Sequence, residues 1–379
     1  MAKASANVNP AVLKWARESV GFDLVDAAKK IGTSPEKLLA AESGRAKLTL
    51  RQAEKAADAY ERPLAMFFMS EPPVEPSQEA HLRQLPDAPP PPWPPEMVLL
   101  TRRIHERQDA ANELLELLDE TPNWPEFSSR IAAAPVSTLP SVAREMLGIS
   151  LDEQLSWRDG VGYTALNQWT RGIESVGVLV MQTGGIPLSL MRGFASMSDA
   201  VPAIVVNSQD DPRARAYTAL HELGHLCLIA RGEQPAQVER WCEEFAGDVA
   251  APPSELATRF ARAYGSPLAR VDALAREFSL TPAAIAVRCR RNELLTQDET
   301  NTVLAEIQNR RRFDDDEGGG GNYYTTQIGR VGPSFIRLVF TALANQALTY
   351  PSASSLLGVK VNNFDKLREH LDRRERALT

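Results

Sequence analysis

Along the first seventy residues the apolar positions fall in short blocks at helical spacing, separated by turn residues. Asn9-Pro10 opens one helix, with Asn as its cap and Pro at its first position. Asp23 opens a second, which carries Leu24, Ala27, Ala28 and Ile31 on one face and stops at Gly32-Thr33. Ser34-Pro35-Glu36 restarts a helix at once, running to Ser43-Gly44, and Thr49-Leu50 begins another. Two short helices joined by a tight glycine-containing turn, inside a small bundle, form a helix-turn-helix pattern.

Proline density from Leu85 to Met97 (LPDAPPPPWPPEM) forbids helix and predicts an extended spacer. Helical periodicity returns from Glu96 to Glu120, with Leu99, Leu100, Ile104, Leu114, Leu115 and Leu118 as its stripe, and again around Leu139 to Leu147. The period then changes. GVLVMQ (Gly177 to Gln182) and PAIVVN (Pro202 to Asn207) read as strands, and MRGFASM (Met191 to Met197) between them reads as an edge strand. Asp211-Pro212 starts a long helix that continues past His225, and the carboxyl-terminal third is helical, interrupted by an acidic run and four glycines. The pattern predicts an α+β chain: a helical bundle at 1–70, a proline-rich linker at 71–95, a central domain with flanking helices at 96–312, an acidic and glycine linker at 313–321, and a small helical domain at 322–379.

A chain of 379 residues, 43% hydrophobic and 24% charged, can bury sizeable cores. No apolar run approaches the roughly 18 residues that cross a bilayer, so a cytoplasmic protein with no membrane contact is expected. The three cysteines, Cys227, Cys242 and Cys289, form no CxxC pair, which argues against a disulfide scaffold or a cysteine zinc finger. Net charge is −7, but Met1 to Ser70 holds 11 Lys and Arg against 8 Asp and Glu, leaving the rest at −10. A mildly positive head on an acidic body suits nucleic-acid contact by the head alone.

ALHELGHLCL contains His221-Glu222-Leu223-Gly224-His225, an HExxH motif. Residues four apart on a helix share a face, so both imidazoles can bind one ion. Glu222, beside the first of them, is placed to take a proton from water as general base. Chance would place this pattern in about a few chains per thousand of this composition, so it is a specific signal for metal-assisted amide hydrolysis. The other histidines, His81, His105 and His370, stand singly. A catalytic zinc needs a third protein ligand. VERWCEEFAGDVAAP offers Glu239 with Glu243 on one helix face and Glu244 with Asp248 on another, and helical geometry alone leaves both pairs open.

The run from Asp23 to Tyr60 resembles the Xre-type repressor domain, with Glu42, Gly44 and Arg45 at its Glu-x-Gly-Arg place. The resemblance implies DNA contact through residues such as Lys37, Arg45 and Lys47. Its recognition helix offers Glu36, Lys37, Ala40 and Ala41, few of which read bases well, so a bundle kept for dimerisation or docking stays open. Val176 to Pro253 resembles the consecutive blocks of the ImmA/IrrE family of zinc metallopeptidases. This implies a zincin-like small sheet packed on the HExxH helix. It also implies that Glu239, leading a Glu-x-x-Ala-Asn-x-Phe-Ala block in register with Phe245-Ala246, is the third metal ligand. Cys242 and Glu243 depart from that block, so Glu243 is an alternative ligand or a carboxylate that orients the others. The family implies a regulatory protease acting on a repressor or antitoxin, often encoded by a neighbouring gene, in stress responses or toxin-antitoxin systems. A homodimer is compatible with this, and an edge strand at Met191 to Met197 would align a partner's extended segment over the metal. The alternative is a DNA-binding transcription regulator or antitoxin with a non-catalytic metal site.

Overall fold

The computed structural model describes residues 5–73, 93–157, 162–311 and 322–378. The run at 313–321 lies outside them, as do 74–92 of the proline-rich stretch and His81 with it. The chain divides into two units, Met1–Glu106 and Arg107–Thr379.

In the first unit each predicted cap starts a helix. Asn9 accepts the Ala11 N–H at 2.9 Å ahead of α1 (Pro10–Glu18). Asp23 accepts the Asp26 N–H at 2.7 Å ahead of α2 (Leu24–Ile31), which ends on Gly32 at φ 77°, a left-handed conformation glycine adopts without strain. Ser34 caps α3 (Pro35–Glu42), and Thr49 with Gln52 forms a reciprocal capping box on α4 (Leu50–Tyr60). The core holds Leu13, Ile31, Leu38, Tyr60 and Phe67. Inside it the Arg17 guanidinium makes a two-pronged pair with Glu42, Nε to Oε1 at 2.7 Å and Nη2 to Oε2 at 3.0 Å. A third Arg17 bond, Nη1 to the Phe22 carbonyl at 2.8 Å, satisfies the buried charge further.

Helix α5 (Pro95–Leu117) contributes residues to both units. In the second unit α6 (Trp124–Ala133), α7 (Leu139–Met146), α8 (Leu151–Ser156) and α9 (Tyr163–Ser175) precede a three-stranded sheet. Its strands are β1 (Leu179–Thr183), β2 (Gly193–Ser196) and β3 (Ala203–Asn207), in the order β1-β3-β2. β1 runs parallel to β3, with Met181 opposite Val205, and β2 runs antiparallel to it, with Phe194 opposite Val205. Helix α10 (Pro212–Arg231), capped by Asp211, packs on β2 and β3. Helix α11 (Val238–Ala250) packs along α10, and α12 (Pro253–Arg262), α13 (Pro267–Glu277), α14 (Pro282–Arg291) and α15 (Gln297–Arg311) follow.

The last block forms α16 (Tyr323–Val331), α17 (Pro333–Ala344), α18 (Tyr350–Leu357) and α19 (Phe364–Arg376). It covers the β1 side of the sheet. A Cβ on Gly329 would meet Gln182 at 3.2 Å, and one on Gly332 would meet the Val180 carbonyl at 3.1 Å, so both glycines serve close packing. β2 does occupy the sheet's edge, yet all four of its residues are buried. Gln108 of α5 is one reason: its Nε2 donates to the carbonyls of Ser196 and Val201, and its Oε1 accepts from Ser196 Oγ. An open strand edge for a partner's segment is therefore not what the fold presents at Phe194 to Ser196. No helix among the described residues is long and apolar enough to cross a membrane.

Candidate metal centre

Helix α10 carries His221 and His225 one turn apart, and their Nε2 atoms approach to 3.2 Å. Glu239, in the first turn of α11, turns its carboxylate to both: Oε2 lies 3.4 Å from His221 Nε2, and Oε1 lies 3.6 Å from His225 Nε2. Three lone-pair donors thus converge, with no mutual separation above 4.8 Å among the atoms that define the group. Two imidazole nitrogens at this distance repel unless a proton or a cation lies between them. Tetrahedral zinc with bonds of about 2.0–2.1 Å requires ligand separations of about 3.3–3.4 Å. The observed gaps bracket that value, so the donor set fits the ion that the motif implies.

Burial grades across the three donors. The His225 side chain is 1% exposed, that of His221 15% and that of Glu239 61%. The group is therefore anchored in the core on one side and open to the surface on the other, where a substrate atom or water can approach. The remaining acidic residues of α11 are engaged elsewhere. Glu243 pairs with Arg291 of α14, Asp248 with Arg288 at 2.5 Å, and Glu244 with Arg240 one turn back at 2.9 Å. Of the two pairs left open by helical spacing, only Glu239 turns to the histidines.

Glu222 is buried, 2% exposed, and faces the sheet. A Cβ on Gly193 would meet its Oε1 at 3.2 Å, the Val205 carbonyl at 2.9 Å and Thr218 Cγ2 at 2.5 Å. β2 can lie this close to α10 because residue 193 has no side chain. On the opposite flank, a Cβ on Gly224 would meet Phe245 Cδ1 at 3.1 Å and Cys242 Cα at 3.3 Å. The second glycine therefore sets how near α11 comes to α10. Tyr217, one turn before His221, donates its hydroxyl to the Glu243 carbonyl at 2.9 Å, and burial pushes its phenol up to about 12. It therefore stays a neutral donor that ties the two helices together.

Gly193, Tyr217, Arg288 and Arg291 carry no signal in an isolated sequence that marks them as part of a site. Only the glycine inside HExxH stood within a motif, where a helix-interior glycine at a cost of about 1 kcal/mol asks for a packing reason. Lys37, Arg45 and Lys47 all lie exposed on the first unit.

Residues 174–290 match the family model described as the IrrE N-terminal-like domain, a peptidase family. The span includes the whole sheet, both helices of the donor group and the following helices through most of α14. The match supports a metallopeptidase of the IrrE and ImmA type, a family of zinc enzymes. No curated protein and no solved structure matches the chain.

Two predictions test this geometry. Metal analysis of purified protein is expected to find about one zinc per chain, reduced sharply in His221→Ala, His225→Ala and Glu239→Gln, each of which removes a donor. Glu243→Asn is expected to keep its zinc, since Arg291 holds that carboxylate; the reverse result for positions 239 and 243 would reject the assignment. Gly193→Ala is expected to cost about 1–3 kcal/mol of stability in chemical denaturation, because backbone as well as side chain must move. Adding Thr218→Ser removes the nearest atom and should recover only part of the loss, because the Val205 carbonyl stays in the way.

Proposed function

We propose that this protein is a zinc-dependent endopeptidase in which His221, His225 and Glu239 hold the metal and Glu222 is the general base. The convergence of three donors at zinc-like separations, next to a buried carboxylate on the same helix, is the observation that carries the reading. Zinc bound there would polarise the scissile carbonyl and lower the pKa of water. Glu222 takes the proton from the attacking water and returns it to the leaving amine. A Cβ on Gly193 would lie 3.2 Å from Glu222 Oε1, so the β2 backbone bounds one side of this carboxylate.

The substrate is a protein segment rather than a small molecule, because the donor group is exposed on its Glu239 side. Pairing along β2 is not invoked, since that strand is buried; the segment enters across the exposed side of the centre. The resemblance to ImmA/IrrE proteins names the substrate class as a repressor or antitoxin, with a neighbouring gene as its first candidate source. The first unit, with Lys37, Arg45 and Lys47 at its surface, is the DNA-binding head of the same regulatory protein. Its paired Arg17 and Glu42 leave the exposed lysines and arginines as the charge available to phosphates.

Co-incubation with the products of neighbouring genes is expected to give cleavage that a chelator stops. Glu222→Gln should abolish that cleavage while leaving zinc content unchanged, because only proton transfer is removed. Cleavage that survives in Glu222→Gln with full metal would assign the base elsewhere. For the head, binding of DNA from the gene's own flanking region should weaken steeply with salt. Removing Arg45 and Lys47 should flatten the slope by about one for each phosphate that is no longer neutralised. Binding that is unchanged after deletion of residues 1–70 would make the head a docking module instead.

A further inference from the structure

Away from the donor group, α9, α17 and α19 line a half-open cavity of about 300 Å³. Its walls carry three guanidiniums, Arg171, Arg337 and Arg374, and two carboxylates, Glu174 and Glu375. Both carboxylates are taken by one arginine. Arg337 donates Nη2 to Glu174 Oε2 at 3.1 Å and pairs through Nη1 with Glu375. Glu174 is further committed, accepting the Ser334 N–H at 3.0 Å and the Ser334 hydroxyl at 2.8 Å. Arg171 is exposed and donates to the Leu378 carbonyl at 3.2 Å, and among the described residues no ion pair joins its guanidinium to a carboxylate.

Arg374 is the anomaly. On α19 the core-facing residues are Phe364, Leu367 and Leu371, and the next place on that stripe, three residues on, is Arg374. A hydrophobic residue is expected there. Among the described residues no hydrogen bond or ion pair at bonding distance reaches its guanidinium, although the side chain lines the cavity. Burial holds this group below its usual range, with Glu174 pulling the other way. Arg374 is half-buried, and a partly desolvated charge without a bonded counter-charge costs some stability, which an anion supplied from outside would offset.

We propose that this cavity binds a small organic oxyanion, a carboxylate or a phosphate monoester, whose head group is held by Arg374 and Arg171 and whose compact apolar body lies against Leu371 and Leu378. Planar guanidiniums suit two-oxygen head groups. The volume lies at the small end of ligand pockets, which limits the ligand to a single small ring or short chain. This site is separate from the peptidase reading and stands without it.

The test uses the full-length, zinc-loaded protein with benzoate and phenyl phosphate as probes, against chloride at matched ionic strength. One of the two is expected to raise the melting temperature saturably and to show one-site binding by calorimetry. The probe that binds tells carboxylate from phosphate. Arg374→Leu is expected to melt higher than wild type without ligand, because an unbonded, half-buried cation at an apolar position of the helix is removed. It should also lose at least about tenfold in affinity for the probe. Arg374→Gln repeats the affinity test with a polar side chain. The proposal is overturned by the absence of saturable binding of either probe up to about 10 mM. Binding that persists in Arg374→Leu overturns it too, since it places the anion at the histidines or elsewhere. A lower melting temperature in unliganded Arg374→Leu does the same, because it makes Arg374 a structural partner of Glu174 and Glu375.

Discussion

The spacing between α10 and α11 is the constraint on which the donor group depends. Two of its donors ride on one helix and the third on its neighbour, so the crossing sets how near Glu239 comes to both histidines. Gly224 and Cys242 meet at that crossing, where a Cβ on Gly224 would lie 3.3 Å from Cys242 Cα. Glycine in a helix interior costs about 1 kcal/mol against alanine, and here the cost is offset by the closeness that it allows. The rotation of α11 is held separately. Tyr217 bonds the Glu243 carbonyl, and Arg288, buried on α14, reaches both Asp248 and the Ala251 carbonyl.

The same helix faces two ways. Consecutive residues on an α-helix leave it about 100° apart, so His221 and Glu222 set out toward different neighbours. The histidines, four apart, look toward α11, while Glu222 looks toward β2 and finds Gly193. In this chain the helix that carries HExxH has a close partner on each of two adjacent faces. One glycine serves each contact, Gly224 from within the motif and Gly193 from the strand.

How far this could be read beforehand follows from the range of each interaction. The caps Asn9, Asp23, Ser34, Thr49 and Asp211 act within three residues, and each begins a helix where its side chain is expected to accept a backbone N–H. Two of the strands were likewise visible as β-branched runs and the third as the short segment between them, all to within about two residues of their ends. The choice among Glu239, Glu243, Glu244 and Asp248 was not visible in helical spacing. It turns on which cations lie opposite, and Arg288 and Arg291 are some forty residues downstream. The burial of β2 was hidden for the same reason, since Gln108 precedes Ser196 by 88 residues. The packing of α16 and α17 on β1 pairs segments still farther apart, and no periodicity in either one announces it.

That arginine pattern also separates the carboxylate that faces the histidines from those that do not. Four carboxylates on one short helix, all near a dication, would compete for it and leave the centre with alternative geometries. Each of the three that do not face the histidines is matched with a guanidinium: Glu243 with Arg291, Glu244 with Arg240, Asp248 with Arg288. Pairs at exposed positions contribute only about 0–1 kcal/mol to stability, so the first two matter chiefly for where they hold the carboxylates. The third differs because Arg288 is 3% exposed. Removing Asp248 would strand a buried cation beside Gly247, at a cost well above that of an exposed pair. α11 is thus anchored most firmly at the end away from Glu239, which leaves the first turn, with the exposed donor Glu239, as the less constrained part of the helix.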